Sequence, residues 1–207
     1  VHFEWGPHLS PFYSPYLRFD WMPAWMSPAL LILPFPLIFR TTCYYYRKAY
    51  YRSFFMSPSA CAVGKPLSGR NAYWGETIFP FVLQNLHRYA FYAAAIFILL
   101  LTIDAIMAFN FKGHFGIGVG SLIMVINVVL LALYTFSCHS WRHLVGGKLN
   151  RFSCDMLAQL QHHAWGKVTQ QNEHHMRWAW CSLFSVWATD LYIRLLSMGY
   201  LTDLRLL

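Results

Sequence analysis

The sequence predicts an all-α protein, a transmembrane helical bundle with four spans in this chain. Hydrophobic residues make up 57% of the 207 residues, and charged residues make up only 12%. Soluble domains carry roughly 25% charged residues, so the surplus apolar surface requires lipid. Four apolar stretches reach the roughly 20 residues that a helix needs to cross a bilayer, and basic residues flank them.

The predicted spans, named A to D, cover residues 28–47, 79–109, 118–144 and 174–198. Pro34 and Pro36 are expected to kink span A, whose short apolar run also allows a re-entrant or interfacial path. Between spans C and D, the apolar spacing predicts an amphipathic surface helix, with Phe152, Met156, Leu157 and Leu160 on its apolar side.

The whole chain, 1–207, is interpreted as a single integral membrane domain. Residues 1–25 are rich in aromatic residues and prolines, and we interpret them as an outer loop at the lipid headgroups. A fifth helix preceding this loop remains an open alternative.

Lysine and arginine residues predict the orientation, because short cytoplasmic loops carry the excess of positive charge. The A–B and C–D side holds twelve: Arg40, Arg47, Lys48, Arg52, Lys65, Arg70, Arg88, Arg142, Lys148, Arg151, Lys167 and Arg177. The opposite side holds four: Arg18, Lys112, Arg194 and Arg205. We therefore expect the first side to be cytoplasmic.

The net charge of +8 does not indicate nucleic-acid binding, because the cations flank apolar runs and form no stripe or reading motif. The sequence contains no phosphate-binding glycine loop, no HExxH and no nucleophile elbow. Gly116, Gly118 and Gly120 form a GxGxG pattern, but they open span C and are interpreted as aiding close helix packing. Asp190 and Arg194 are spaced for an ion pair within one helix.

Cysteines and histidines crowd the predicted cytoplasmic side. They are Cys43, Cys61, Cys138, Cys154, His87, His139, His143, His162, His163, His174 and His175, whereas the opposite side has only His2, His8 and His114. Thiolates and imidazoles bind soft and borderline metals. The one-sided set therefore predicts a metal or cluster site, and the lack of outer cysteines argues against a disulfide framework.

Each candidate ligand also has a purely structural interpretation. Cys43 and Cys61 can serve as small apolar residues, and His87 as a structural hydrogen-bonding group. His139 and His143 share a helix face and can simply be polar residues ending a span. From the residues alone, three centres stay open: a b-type haem, a Rieske-type cluster with two cysteines and two histidines, and a structural zinc site.

Three motifs carry a family resemblance, namely residues 40–52 (RTTCYYYRKAYYR), 83–89 (LQNLHRY) and 138–147 (CHSWRHLVGG). They resemble the cytochrome b-like membrane anchor of a mycobacterial-type succinate dehydrogenase, or respiratory complex II. The resemblance covers nearly the whole chain. It implies an inner (plasma) membrane subunit of the succinate:quinone oxidoreductase that links the tricarboxylic acid cycle to the respiratory chain, without succinate chemistry of its own.

The resemblance further implies a Rieske-type [2Fe-2S] cluster at the cytoplasmic side of the membrane. A flavoprotein subunit oxidises succinate, and a soluble iron-sulfur subunit passes the electrons to the anchor, which delivers them to menaquinone or ubiquinone. On this basis we assign the cluster to Cys43, Cys61, His87 and His139, with Cys138, His143 and His175 in reserve. Arg88, Tyr89 and Trp178 are candidate quinone contacts. A b-haem anchor, a non-redox metal-binding membrane protein and a higher oligomer stay open.

Overall fold

The structure is a computed structural model that describes residues 2–43, 45–46, 83–111, 113–146, 153 and 155–206. Its helices are α1 (Ala29–Ile32), α2 (Pro34–Thr42), α3 (Leu83–Met107), α4 (Val119–Phe136), α5 (His139–Gly146), α6 (Met156–Glu173) and α7 (His175–Ser197). Two antiparallel hairpins pair β1 (Glu4–Trp5) with β2 (His8–Leu9) and β3 (Asn110–Phe111) with β4 (His114–Phe115). A 3-10 turn covers Pro11–Tyr13.

The four predicted spans are supported in part. Within the described ranges, two helical segments are long and apolar enough to cross a membrane, Leu86–Met107 and Val119–Phe136, and they lie within spans B and C. Span D corresponds to α7, whose 23 residues measure about 34 Å at 1.5 Å per residue. Polar and ionisable side chains leave α7 less apolar than the other two helices. The apolar segment for span A, Ala29–Thr42, is shorter than a span.

Span A is not one continuous helix. It breaks at Leu33 and begins again at Pro34, because proline has no backbone N–H to extend the hydrogen-bond ladder. The second piece ends at Thr42, and the backbone of Cys43 turns to an extended ψ of 134°. Cys43 therefore caps the helix, whereas the sequence interpretation had placed it inside the span.

Span C is also broken, and this corrects the single helix expected over residues 118–144. Helix α4 ends at Phe136, and α5 begins at His139. The carbonyl oxygen of Ser137 accepts a 2.7 Å hydrogen bond from Nδ2 of Asn172, so a side chain from α6 satisfies this carbonyl at the break. Because the two pieces do not share one helical wheel, Cys138 and His139 point in unrelated directions.

Small residues allow the helices to pack closely. Helix α3 contacts both α2 and α4, and α4 contacts α7 most extensively. Ala90 and Ala94 of α3, together with Ala179 of α7, belong to the main buried core. The predicted surface helix is present as α6, whose Met156 and Leu157 are exposed.

The N-terminal segment hydrogen-bonds to two helices at one end of the bundle. We call this the far end; α3 and α7 end there and α4 begins there. Ser10 and Ser14 flank the 3-10 turn. The Ser10 hydroxyl donates to Asp190 of α7 at 2.5 Å, and the Ser14 hydroxyl donates to Asp104 of α3. The turn thus bridges the two helix ends through one buried and one partly buried polar contact.

The GxGxG pattern makes room for side chains at this far end. A Cβ atom at Gly120 would lie 2.6 Å from Nε2 of His8, and one at Gly118 would clash with Asp203. Gly120 therefore allows close approach of the N-terminal hairpin, and Gly118 allows close approach of the C-terminal tail. This corrects the expectation that these glycines aid packing between helices. The predicted ion pair is confirmed, with Arg194 Nε 2.7 Å from the Asp190 carboxylate.

Candidate functional site

Two cysteines and two histidines meet at the other end of the bundle, which we call the site end. Cys43 follows α2, His87 lies near the start of α3, Cys138 follows α4 and His175 opens α7. The four residues are 1%, 6%, 2% and 9% exposed, respectively. Four separate elements therefore bring thiol and imidazole groups into one buried region, which also contains the core residues around Cys43 and Cys138.

The four side chains form two mixed pairs. Sγ of Cys43 lies 3.2 Å from Nε2 of His175, and Sγ of Cys138 lies 2.8 Å from Nε2 of His87. Among the described residues, no three His, Cys, Asp or Glu side chains converge as they would around a single metal ion. The arrangement is therefore two neighbouring pairs with no common focus.

The Thr42 hydroxyl sets the orientation of the His87 ring. It donates to the Ile38 carbonyl at 2.6 Å and lies 3.0 Å from Nδ1 of His87. Since its own proton is used on the carbonyl, the hydroxyl oxygen accepts from Nδ1–H. The lone pair of Nε2 is then left facing the Cys138 sulfur.

Ser137 plays the same part for the second histidine. Its hydroxyl donates to the Tyr134 carbonyl at 3.2 Å and lies 2.7 Å from Nδ1 of His175. The oxygen therefore accepts from Nδ1–H of the ring. The Nε2 lone pair of His175 consequently faces Cys43.

The two hydroxyl residues connect the pairs crosswise. Thr42 directly precedes Cys43, yet its hydroxyl orients the histidine that faces Cys138. Ser137 directly precedes Cys138, yet its hydroxyl orients the histidine that faces Cys43. Metal-binding histidines characteristically donate their second ring N–H to an oxygen, which fixes the tautomer. Both imidazoles of this site have this arrangement, with Nδ1–H bonded to a hydroxyl oxygen and Nε2 directed toward a cysteine sulfur.

Aromatic rings cover both imidazoles. Phe39 stacks on His87 with ring centroids 4.6 Å apart and planes 8° from parallel. Tyr134 stacks on His175 at 5.1 Å and 20°. These contacts shield the rings from solvent and restrict their rotation.

Arg40 brings a fixed positive charge to the site. Its guanidinium donates to the Tyr46 hydroxyl at 2.9 Å, the Ala179 carbonyl at 3.1 Å and the Ser182 hydroxyl at 2.9 Å. It also lies over the Tyr134 ring, 4.6 Å from the centroid. No carboxylate among the described residues forms an ion pair with it, so its charge is available to a negative group at the site.

The other described candidate ligands do not reach the two pairs. His139 and its reserve His143 are exposed on α5, and Cys61 is outside the described residues. Partial burial lowers the pKa of His139, and the cations Arg142 and Arg88 lower it further, as does His143. The structure therefore unites Cys43 and His87 with the reserves Cys138 and His175, and His139 stays apart.

Two of the three candidate quinone contacts lie on the surface of the site end. Arg88 and Tyr89 are exposed, Tyr89 by 74%. Trp178 packs against the main core, and its buried indole N–H has no partner among the described groups.

A cavity of about 610 Å³ lies between α2, α3, α4 and α7, and none of these three candidate quinone contacts lines it. Pro11 and Phe12 of the N-terminal segment line it at the far end, whereas Arg40 and Tyr134 line it next to the Cys/His pairs. The other lining side chains are almost all apolar.

Sequence reasoning missed Thr42, Ser137 and Tyr134. The first two share one sequence feature, since each is a hydroxyl residue directly before a candidate cysteine ligand, but the helix ends that bring them to the histidines were not predicted. Tyr134 had no such signal, since aromatic residues are frequent throughout this chain.

Comparisons with known proteins agree with one another. A family model described as actinobacterial succinate dehydrogenase subunit SdhC matches residues 1–199. A chain of the solved Mycobacterium smegmatis Sdh1 complex in the apo form is similar at 45% sequence identity with a TM-score of 0.81, covering 96% of this chain and 78% of that chain. No curated protein sequence matches significantly.

Proposed function

The chain belongs to the family of actinobacterial succinate dehydrogenase subunit SdhC, and from this premise we propose that it relays electrons from the soluble subunits of complex II to a quinone. The relay is a Rieske-type [2Fe-2S] cluster held by Cys43, Cys138, His87 and His175. As the membrane subunit, the chain leaves succinate oxidation to the flavoprotein subunit. The soluble iron-sulfur subunit is its electron donor.

The observation that carries the proposal is the orientation of both imidazole rings. Each Nδ1–H is held by a hydroxyl group, and each Nε2 faces a cysteine sulfur. Two thiols and two such imidazoles match, in kind and number, the ligands of a Rieske-type cluster. When bound, such a cluster supplies a one-electron carrier.

This ligand set revises the one implied by the resemblance. Cys138 replaces Cys61, which lies outside the described residues. His175 replaces His139, because His139 is exposed on α5, whereas Nε2 of His175 is 3.2 Å from Cys43.

The electrostatics of the site favour a cluster of this type. Burying charge is costly unless an opposite charge compensates it. Two thiolates and two neutral imidazoles bring less negative charge into the bundle than four thiolates would. Arg40, held against the Tyr134 ring, offsets part of the remainder.

The surroundings support transfer from a soluble donor to a lipid-soluble acceptor. The site end is the end with the excess of basic residues, which is predicted to face the cytoplasm, where the soluble iron-sulfur subunit would dock. The apolar cavity beside Arg40 and Tyr134 suits an apolar electron acceptor such as a quinone.

A comparison of two histidine variants tests the proposal. The whole complex would be purified as wild type, His175→Ala and His139→Ala. Iron, acid-labile sulfide and the EPR spectrum of the reduced complex would then be measured. We expect His175→Ala to lose one [2Fe-2S] equivalent and its signal, and His139→Ala to keep both. Succinate oxidation with an artificial acceptor checks that the soluble subunits remain intact in each preparation.

Three results would contradict the proposal in distinguishable ways. A haem Soret band in the wild type would favour a b-haem anchor. Wild-type iron and sulfide that the soluble subunits account for completely would remove the cluster from this chain. Loss of the signal in His139→Ala, with retention in His175→Ala, would refute the ligand assignment alone.

A further inference from the structure

Tyr134 presents a buried hydroxyl group that lacks a partner. The residue is 1% exposed, and its oxygen meets no hydrogen-bond partner among the described groups. Tyr134 and Cys43 nevertheless belong to one buried core cluster, and the His175 imidazole that stacks on the Tyr134 ring has its Nε2 3.2 Å from the Cys43 sulfur. A buried donor without an acceptor is unfavourable. We therefore expect the site to have another state, in which an acceptor faces this hydroxyl.

A metal-bound Cys43 would provide that acceptor. A neutral thiol is a weak acceptor, whereas a thiolate carries negative charge, and hydrogen bonds to charged groups are stronger. Binding of metal removes the thiol proton. The Cys43 sulfur, in the same buried cluster as Tyr134, therefore becomes a strong acceptor only when the site is loaded.

We propose that Tyr134, held in place by Arg40, donates a hydrogen bond to the Cys43 thiolate and raises the reduction potential of the cluster. This inference rests on the proposed function, and it assigns a role to two residues outside the ligand set. Reduction adds negative charge, and a donor to a ligand sulfur stabilises the reduced state more than the oxidised state. Hydrogen bonds to the sulfurs are among the features that set cluster potentials.

The contacts of the Tyr134 ring explain how its hydroxyl is aimed. The Arg40 guanidinium lies 4.6 Å from the ring centroid, and the imidazole of His175 stacks on the ring at 5.1 Å. Arg40 is itself fixed by the Ala179 carbonyl and the Ser182 hydroxyl of α7. The ring thus contacts both a cation and a proposed ligand, which restrict its motion, and a cation near a phenol also makes its O–H a better donor.

The experiment is a redox titration followed by EPR on the intact complex. The variant is Tyr134→Phe, which removes only the hydroxyl. The matched control is Tyr200→Phe, which removes a phenol hydroxyl from an exposed residue at the far end. We expect Tyr134→Phe to retain the cluster and to shift the reduction equilibrium about tenfold toward the oxidised form, about 59 mV for a one-electron couple. Tyr200→Phe should titrate like the wild type.

A second substitution keeps the inference testable if Tyr134→Phe does not assemble. Fluorotyrosine at position 134 preserves the ring and makes the phenol a stronger donor, so the potential should rise. A potential equal to the wild type in either loaded variant would overturn the inference and leave the proposed function intact. A wild-type complex without the cluster signal would overturn the proposed function first, and the inference with it.

Discussion

Sγ of Cys138 lies 2.8 Å from Nε2 of His87, although the two residues are 51 positions apart and Cys138 lies in the break after α4, whereas His87 is in α3. The break between α4 and α5 makes this contact, because it releases Cys138 from the helical wheel of α4. The adjacent His139 lies on α5 and is exposed. One interrupted turn thus separates a buried candidate ligand from a surface histidine.

Replacing Cys138 by alanine should abolish the cluster. The substitution removes one of two proposed thiolates, and a single cysteine cannot complete the two-cysteine, two-histidine set. Acid-labile sulfide and the EPR signal of the purified complex measure the effect. Cys181→Ala is the control, because Cys181 is an exposed free cysteine of α7 and its loss should leave both quantities unchanged. Equal losses in the two variants would contradict the assignment.

Removing either orienting hydroxyl should loosen the cluster without abolishing it. Outer partners of metal ligands contribute roughly 10- to 100-fold in metal affinity. Thr42→Val and Ser137→Ala should therefore speed iron loss to a chelator by roughly that factor. Thr102→Val is the matched control, since the Thr102 hydroxyl donates to the Ile98 carbonyl of its own helix at 2.6 Å and to no other group that the structure describes. Chelation rates equal to those of the control would refute the orienting role.

The sequence predicted where the site lies better than which residues form it. Composition and basic residues indicated the bundle, the cores of spans B and C and the end that carries cysteines and histidines. They could not indicate the break at Ser137, because the group that satisfies its carbonyl, Asn172, lies 35 positions further along the chain. A single helical wheel drawn through the break therefore predicted the wrong relative directions for the side chains of Cys138 and His139.

The sequence alone also could not show whether His174 or His175 faces the interior of the bundle. His174 lies at the junction as the C-cap of α6 and the N-cap of α7, and His175 is the first residue of α7. His175 is 9% exposed and His174 is exposed. Only the packing of α7 against α4 decides which ring enters the bundle.

Gly120→Ala should destabilise the far end of the bundle. The new methyl group would lie 2.6 Å from Nε2 of His8 and 2.9 Å from its Cδ2, so the hairpin must shift. Overpacking of this kind costs about 1–3 kcal/mol, which a lowered thermal midpoint of the purified complex would report. Gly166→Ala in α6 is the control, because nothing lies within 4 Å of its Cβ position. That change should be neutral or stabilising by up to about 1 kcal/mol.

The stability of the far end should fall as the pH is lowered through the range in which histidines titrate. Burial lowers the pKa of His8 below its ordinary value of 6.5, and the nearby Asp203 only partly opposes this. Nε2 of His8 lies 3.3 Å from the Asp203 carboxylate, and its buried Nδ1 has no partner among the described groups. The folded protein therefore favours the neutral ring.

Since the unfolded chain takes up this proton at a higher pH than the folded protein does, stability is complete above pH 6.5 and declines as the pH falls toward the folded pKa of His8. Thermal midpoints of the complex between about pH 7.5 and about pH 5.5 would measure this. His8→Gln should flatten the dependence, whereas His114→Gln, a change at an exposed residue, should preserve it. An unchanged slope in His8→Gln would show that protonation of another group limits stability at low pH.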